Sequence, residues 1–305
     1  MLKVVQGRVD PTHMDSLIAQ QGEAATQPVV STGPESWLLL APEGAEPPVG
    51  LGPACTLPAV HGKLLSAIQS FRGQIYLADG AIRAHELTPS GRHVDRFDER
   101  AWHMVCIAGD GKVAGCKRML IHGRNASFED LAVRDSVMKQ PKPWRDRAIE
   151  AISIEMDLAR KEGRIFIEAG GWALSEKLRY GSPALRTTLT AYALAELSGG
   201  CRSVGMATHR HCSNVILKRI GGQSLDLNGE PIAPYFDAHY GCEMELLRFD
   251  SHQVNPKYRA KLHEVMRQLG ETPVLLNARA NSNWQRAFQF RPASFLPGPI
   301  LEYAS

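Results

Sequence analysis

Residues 164–174 read Arg164-Ile-Phe-Ile-Glu168-Ala-Gly170-Gly171-Trp172-Ala-Leu174. A run this apolar reads as a strand, yet it carries a carboxylate and two adjacent glycines in its middle. Charged side chains are rarely fully buried unless paired. Glycines inside a strand mark a bulge or a close approach to the backbone. The competing reading places Glu168 at a strand end facing solvent and makes Gly170-Gly171 a turn. Downstream, Ser182-Pro183 occupies N-cap and first-turn positions that favour each residue, opening a helix that runs to Leu197 and stops at Gly199-Gly200. Residues 202–208 are the next strand.

Working outward, residues 62–72 place Leu64, Leu65, Ile68 and Phe71 at helical spacing. Strands at 101–107 and 112–120 flank Gly109-Asp110-Gly111, which makes a hairpin. Residues 144–162 read as a helix, 212–219 as a short helix ended by Gly221-Gly222, 242–249 as a strand and 258–269 as a last helix. This order predicts an α/β (α+β) fold, a mixed sheet covered by helices. Residues 22–58 hold Pro28, Pro34, Pro42, Pro47, Pro48, Pro53 and Pro58. Proline removes a backbone donor, so this segment is expected to form neither regular helix nor central strand. The expected division is a Pro/Gly-rich arm at 1–60, a main domain at 61–250 and a helical extension at 251–305.

The 305 residues are 44% hydrophobic and 22% charged, which is ordinary globular composition. Lysine and arginine number 35 against 32 acids, so no electrostatic case exists for a nucleic-acid partner. No apolar run approaches the roughly 18 residues of an integral membrane segment, and residues 1–20 lack the apolar core of a secretion signal. The six cysteines form no C-x-x-C pair and no evident disulfide framework. A cytoplasmic protein is the expectation. His209, His211, Cys212, His239 and Cys242 match no usual zinc spacing, so no metal is expected.

Three groups of residues have chemical potential. Arg72 and Arg118, with Asp95 and Asp98, could form a charged clamp for a carboxylate, or ordinary surface pairs. Glu168 in its apolar strand could be a desolvated base that takes a proton from an ammonium nucleophile. Arg179, Gly181 and Ser182 sit where backbone N–H groups at a helix start can seat a phosphate. A strand opened at Gly170-Gly171 next to such a seat suits an extended pantetheine arm, and hence acyl transfer from a thioester to an amine.

The layout resembles the GNAT acyltransferases, within them the acyl-homoserine-lactone synthases and long-chain N-acyl amino acid synthases. Phe71-Arg72-x-x-x-Tyr76, Asp95-x-Phe97-Asp98 and Asp110-Gly111-Lys112-Val113-x-Gly115-Cys116-x-Arg118 are similar to motifs of that branch. So are Ala207-Thr208-His209-Arg210-His211-x-Ser213 with the following Gly221-Gly222, Pro234-Tyr235-Phe236-Asp237 and Cys242-Glu243-Met244. The resemblance implies a GNAT-like, mostly antiparallel sheet flanked by helices. It implies an N-acyltransferase using acyl-CoA or acyl-phosphopantetheine on an acyl carrier protein as co-substrate, with a small amine or amino acid as acceptor. Arg72, Asp95, Asp98, Arg118 and Glu168 would gather on one side of a cleft, with Glu168 as general base. Gly170 and Gly171 would stabilise the oxyanion, Ser213 or His211 would protonate the departing thiolate, and Trp172, Met206 and Met244 would line an acyl tunnel. The rival expectations are an acetyl-CoA-dependent N-acetyltransferase and a GNAT-like domain that binds without turnover.

Overall fold

The computed structural model describes residues 35–179, 181–210 and 212–277, together with the paired two-residue strands Val4–Val5 and Arg8–Val9. In chain order the main elements are β1 (Ser36–Leu40), β2 (Ala54–Thr56), α1 (Pro58–Ala78), β3 (Trp102–Ile107) and β4 (Val113–His122). Then come α2 (Arg134–Val137), α3 (Lys142–Lys161), β5 (Ile165–Leu174), α4 (Ser182–Leu197), β6 (Cys201–Thr208) and α5 (Ser213–Ile220). The last are β7 (Tyr235–Asp237), β8 (Cys242–Asp250), α6 (Arg259–Leu269) and β9 (Val274–Leu276). Nine of these strands, in the order β7-β8-β6-β5-β4-β3-β1-β9-β2, form one sheet, and Gln223–Ser224 adds a tenth strand against β8.

The hairpin of β3 and β4 forms where the glycines predict it, with Gly111 at φ 83°. Both of its strands are buried on both faces because helices cover the sheet on each side. On one side Met104, Met119 and Ile167 meet Leu189 and Tyr192 of α4 and Val265 of α6. On the other, Val105 and Cys116 meet Leu64 and Ile68 of α1, while Phe166 and Val204 meet Ile152 and Met156 of α3. The mixed, mostly antiparallel sheet flanked by helices is the architecture expected from the sequence.

One expectation fails in the proline-rich segment. Ser36–Leu40 is a strand within the sheet, antiparallel to β3 and parallel to β9. Its five residues lie between Pro34 and Pro42 and contain no proline, so every backbone donor is available. Leu39 packs towards α4 and α6, whereas Leu38 and Leu40 pack towards α1, and all three are fully buried. Strands from both flanks, β1 and β2 from one and β9 from the other, therefore share a sheet with residues 61–250. Residues 1–34 and 278–305 otherwise lie outside the described residues.

Candidate active site

The site is made by two parallel strands that part. β5 and β6 pair from Ile165↔Cys201 to Glu168↔Val204 and no further, although β5 continues to Leu174 and β6 to Thr208. Beyond that point the β6-facing edge of β5 is not paired with β6. At Gly205, just past the fork, a Cβ would sit 3.2 Å from the carbonyl oxygen of Ala169, so glycine is what lets the strands lie this close where they diverge.

On its other edge β5 bulges. Cys116 opposes Ala173 and Arg118 opposes Gly170, so β5 spends one residue more than β4 between those pairs. Gly171 is in the left-handed region at φ 58°, and a Cβ there would lie 3.0 Å from Arg118 Cβ and 3.3 Å from Arg72 Nη1. The two glycines therefore make a bulge in a continuous strand, and the turn reading is excluded. A cavity of about 600 Å³ occupies the fork. Gly170, Gly171 and Trp172 line it from β5, Gly205, Met206 and Thr208 from β6, and Thr188, Ala191 and Tyr192 from α4.

Arg72, Asp95, Asp98 and Arg118 are brought together as one buried network. Arg72 donates Nη1 to Asp98 Oδ1 at 2.9 Å and Nη2 to Asp98 Oδ2 at 2.6 Å. Arg118 Nη1 reaches Asp98 Oδ1 at 3.1 Å and Asp95 Oδ2 at 2.7 Å. Burial alone would raise the pKa of Asp98, but the hydrogen bonds and charge of Arg72, with the charge of Arg118, hold its carboxyl well below the usual carboxylate range. Of the four, Arg118 lines the cavity. The network is thus a largely buried brace under the bulge, and Arg118 is its cavity-facing edge.

Glu168 is placed differently from its expected role. Its side chain is buried and accepts three hydrogen bonds: His122 Nε2 at 2.8 Å, Ala132 N at 2.7 Å and Val133 N at 2.8 Å. It is not among the residues that line the cavity. The strand period turns it towards α2 and α3, away from Ile167 and Ala169, which do line the cavity. Its carboxylate ties β5 to the turn that opens α2.

The remaining expected residues divide. Trp172 lines the cavity and donates Nε1 to Thr187 Oγ1 at 3.1 Å. Ser213 lines it too, but its hydroxyl donates to Thr208 O at 3.0 Å and accepts from Thr208 N at 2.8 Å. Arg179 lines it while gripping Asp79 with one nitrogen, 3.0 and 2.9 Å from the two carboxylate oxygens. Gly181 caps α4 with no side-chain bond to the helix, and both Gly181 and Ser182 are exposed outside the cavity. Met206 and Met244 are in the lining, and His211 lies outside the described residues.

Among the lining residues given no role in the sequence reading are Tyr76, Lys117 and Tyr240, whose ionisable groups are shifted by burial. Tyr76 and Tyr240 bring phenols whose pKa values are raised by burial. Lys117 is 5% exposed, its ammonium 5.4 Å from the centre of the Trp172 ring, and burial pushes its pKa down to about 8. The sequence signal for Lys117 is its place as the variable position of Gly115-Cys116-x-Arg118, a second long cation beside Arg118 in a strand that is apolar on either side of the pair. No group of three or more metal-ligating side chains occurs among the described residues, and no described helix is long and apolar enough to cross a membrane.

Residues 71–152 match the family model described as an acetyltransferase (GNAT) domain. That segment runs from α1 through β3 and β4 into α3, and together with the forked sheet it has the fold of the GNAT acetyltransferase domain. Among solved structures, the chain is similar to "a COA-dependent acyl-homoserine lactone synthase, BjaI, with SAM and isopentyl-CoA", at TM-score 0.51 and 12% identity, covering 83% of this chain and 99% of that one. The same synthase with MTA matches at TM-score 0.50 and 12% identity, with the same coverage. FeeM, an N-acyl amino acid synthase from uncultured soil microbes, aligns at TM-score 0.40 and 12% identity over 61% of this chain and 84% of its own. No curated protein sequence matches the chain.

Proposed function

We propose that the chain transfers an acyl group from a pantetheine thioester, on CoA or on an acyl carrier protein, to the amine of an amino acid or similar small acceptor. The observation that carries this reading is the fork between β5 and β6, where an unpaired strand edge runs along a cavity of about 600 Å³. An extended pantetheine arm has the amide spacing to pair with such an edge. On the α4 face of the sheet, Ile167, Ala191, Tyr192 and Phe249 offer an apolar chamber that a two-carbon acyl group would leave unfilled.

In the reaction the acceptor ammonium first gives one proton to solvent. The free amine attacks the thioester carbonyl carbon, the C–N bond forms and the C–S bond breaks. The second nitrogen proton restores the tyrosine that protonates the thiolate. Backbone N–H groups at the bulge of Gly170 and Gly171 are the donors for the developing oxyanion. The departing thiolate takes a proton from Tyr76 or Tyr240, whose phenols stay protonated because burial disfavours their ionised forms. Ser213 has its own proton committed to Thr208 O, which makes it the weaker donor. Glu168 acts as a positioning residue that keeps β5 in register with α2. Arg179, freed from Asp79 or not, stands at the cavity wall where the phosphate end of the donor would leave it.

Mass spectrometry of extracts from cells expressing the wild type, against a Gly205→Leu control that fills the fork, tests the reading. N-acyl amino acids present with the wild type and absent with the control are the expected result. Turnover of acetyl-CoA with small amines, without longer acyl products, would instead assign an N-acetyltransferase. No acylated amine with any donor would leave a domain that binds without turnover.

A further inference from the structure

The β4 strand sends Cys116 into the α1 layer and Met119 into the α4 layer, and Lys117 lies against Trp172, which itself bonds to Thr187 of α4. Lys117 therefore enters the cavity from the α4 side, where Thr188, Ala191 and Tyr192 close the wall. It is 5% exposed, and among the described residues its ammonium has neither a carboxylate nor a hydrogen-bond acceptor in reach, only the Trp172 ring. Every other charged group of the same wall is occupied. Arg118 holds Asp95 and Asp98, Arg179 and Asp79 hold each other, and Arg210 donates to the carbonyls of Asp79, Gly80 and Gly241.

A buried cation without a counter-charge is costly, and a ring face at this distance offsets only part of that cost. Methionine would fill the same volume with no such cost. A lysine kept in an apolar wall, aimed into a cavity and facing no acid, is arranged for an anion that arrives with the ligand. We infer that Lys117 is a specificity-determining binding residue that reads a carboxylate on the substrate occupying this cavity. The carboxylate belongs to the amino-acid acceptor or to the far end of a dicarboxylic acyl group, and either would form a charge-assisted hydrogen bond to the ammonium. This inference rests on the cavity being the acyl-transfer site.

Calorimetric titration with paired probes tests it. N-octanoylglycine is compared with N-octanoylglycinamide, and octanedioic acid monoamide with octanediamide. The expected result is that at least one acid binds the wild type tenfold or more tightly than its amide. Lys117→Met should reduce that preference to under twofold with an unchanged near-UV spectrum, and Lys117→Arg should keep it. A preference confined to the glycine pair assigns the acceptor carboxylate. A preference confined to the octanedioic pair assigns the acyl terminus, and upholds Lys117 even where the amino-acid reading fails. Failure of both acids to outbind their amides, or a preference that survives Lys117→Met, overturns the inference. So does a tenfold loss of coenzyme A affinity in Lys117→Met with the acid preference intact, since Lys117 would then be reading phosphate.

Discussion

Single residues show the energetic stakes of the charged brace. Asp98 accepts from Arg72, Arg118, Gln69 and the backbone of Asp95, with almost no solvent contact. Removing one member strands the others, so Asp98→Asn is expected to cost about 3–5 kcal/mol in urea unfolding. Glu168→Gln replaces an acceptor oxygen by a donor facing a backbone N–H. Stability should fall by about 1–3 kcal/mol, with kcat for acyl transfer lowered less than threefold, whereas a general base would lose far more. His103 gives a pH signature: burial pushes its pKa down to about 4, against the hydrogen bond it donates to Asp98 O at 2.8 Å. The unfolded chain takes that proton near pH 6.5 and the folded chain only near 4, so the contribution is present above about 6.5 and is lost as pH falls towards 4. His61 and His93 shift in the same direction. Melting from pH 7 to 4 should therefore decline less steeply in His103→Gln, by about 3 kcal/mol at most.

At the scale of elements, the strand with two glycines was the most legible part of the chain and also the most misleading. Gly170-Gly171 inside an apolar run announced the bulge because side chains cannot adopt its backbone geometry. Gly171→Ala should destabilise by about 1–3 kcal/mol, from the positive φ and the approach to Arg118, measured by thermal melting. The same run announced a buried carboxylate, but period-2 alternation leaves open which layer a strand residue faces. Partners that decide it, His122 and the 132–133 backbone, are 46 and 35 residues away for the two contacts that name Glu168 with His122 and Val133. The charged network was readable as a set because Asp95 and Asp98 precede a strand whose neighbour carries Arg118. Lys117 was readable only as a second cation beside Arg118, since nothing local says that its ammonium finds no acid among the described residues. Ser36–Leu40 escaped because prolines flank it, and flanking prolines limit a strand's length without forbidding it.

For the whole molecule, the arrangement of β1, β9 and β2 means that the sheet is completed by segments from opposite ends of the described chain. Val274 and Leu275 pair in parallel with β1 and β2, and both are buried. Truncation after Thr272 should abolish cooperative unfolding and sharply raise susceptibility to limited proteolysis, since two strands lose their shared partner. A single cavity-forming change in the same place, Leu275→Ala, should cost about 2–5 kcal/mol. There is also a consequence for biosynthesis. At about 5–20 residues per second, roughly ten to fifty seconds separate the emergence of β1 from that of β9. Throughout that interval Leu38–Leu40 and the edge of β2 are bare, sticky strand borders waiting for a partner the ribosome has not yet made. Yield in the cell should therefore depend on holding chaperones and on translation speed over the last third of the message more than on the stability of the finished protein.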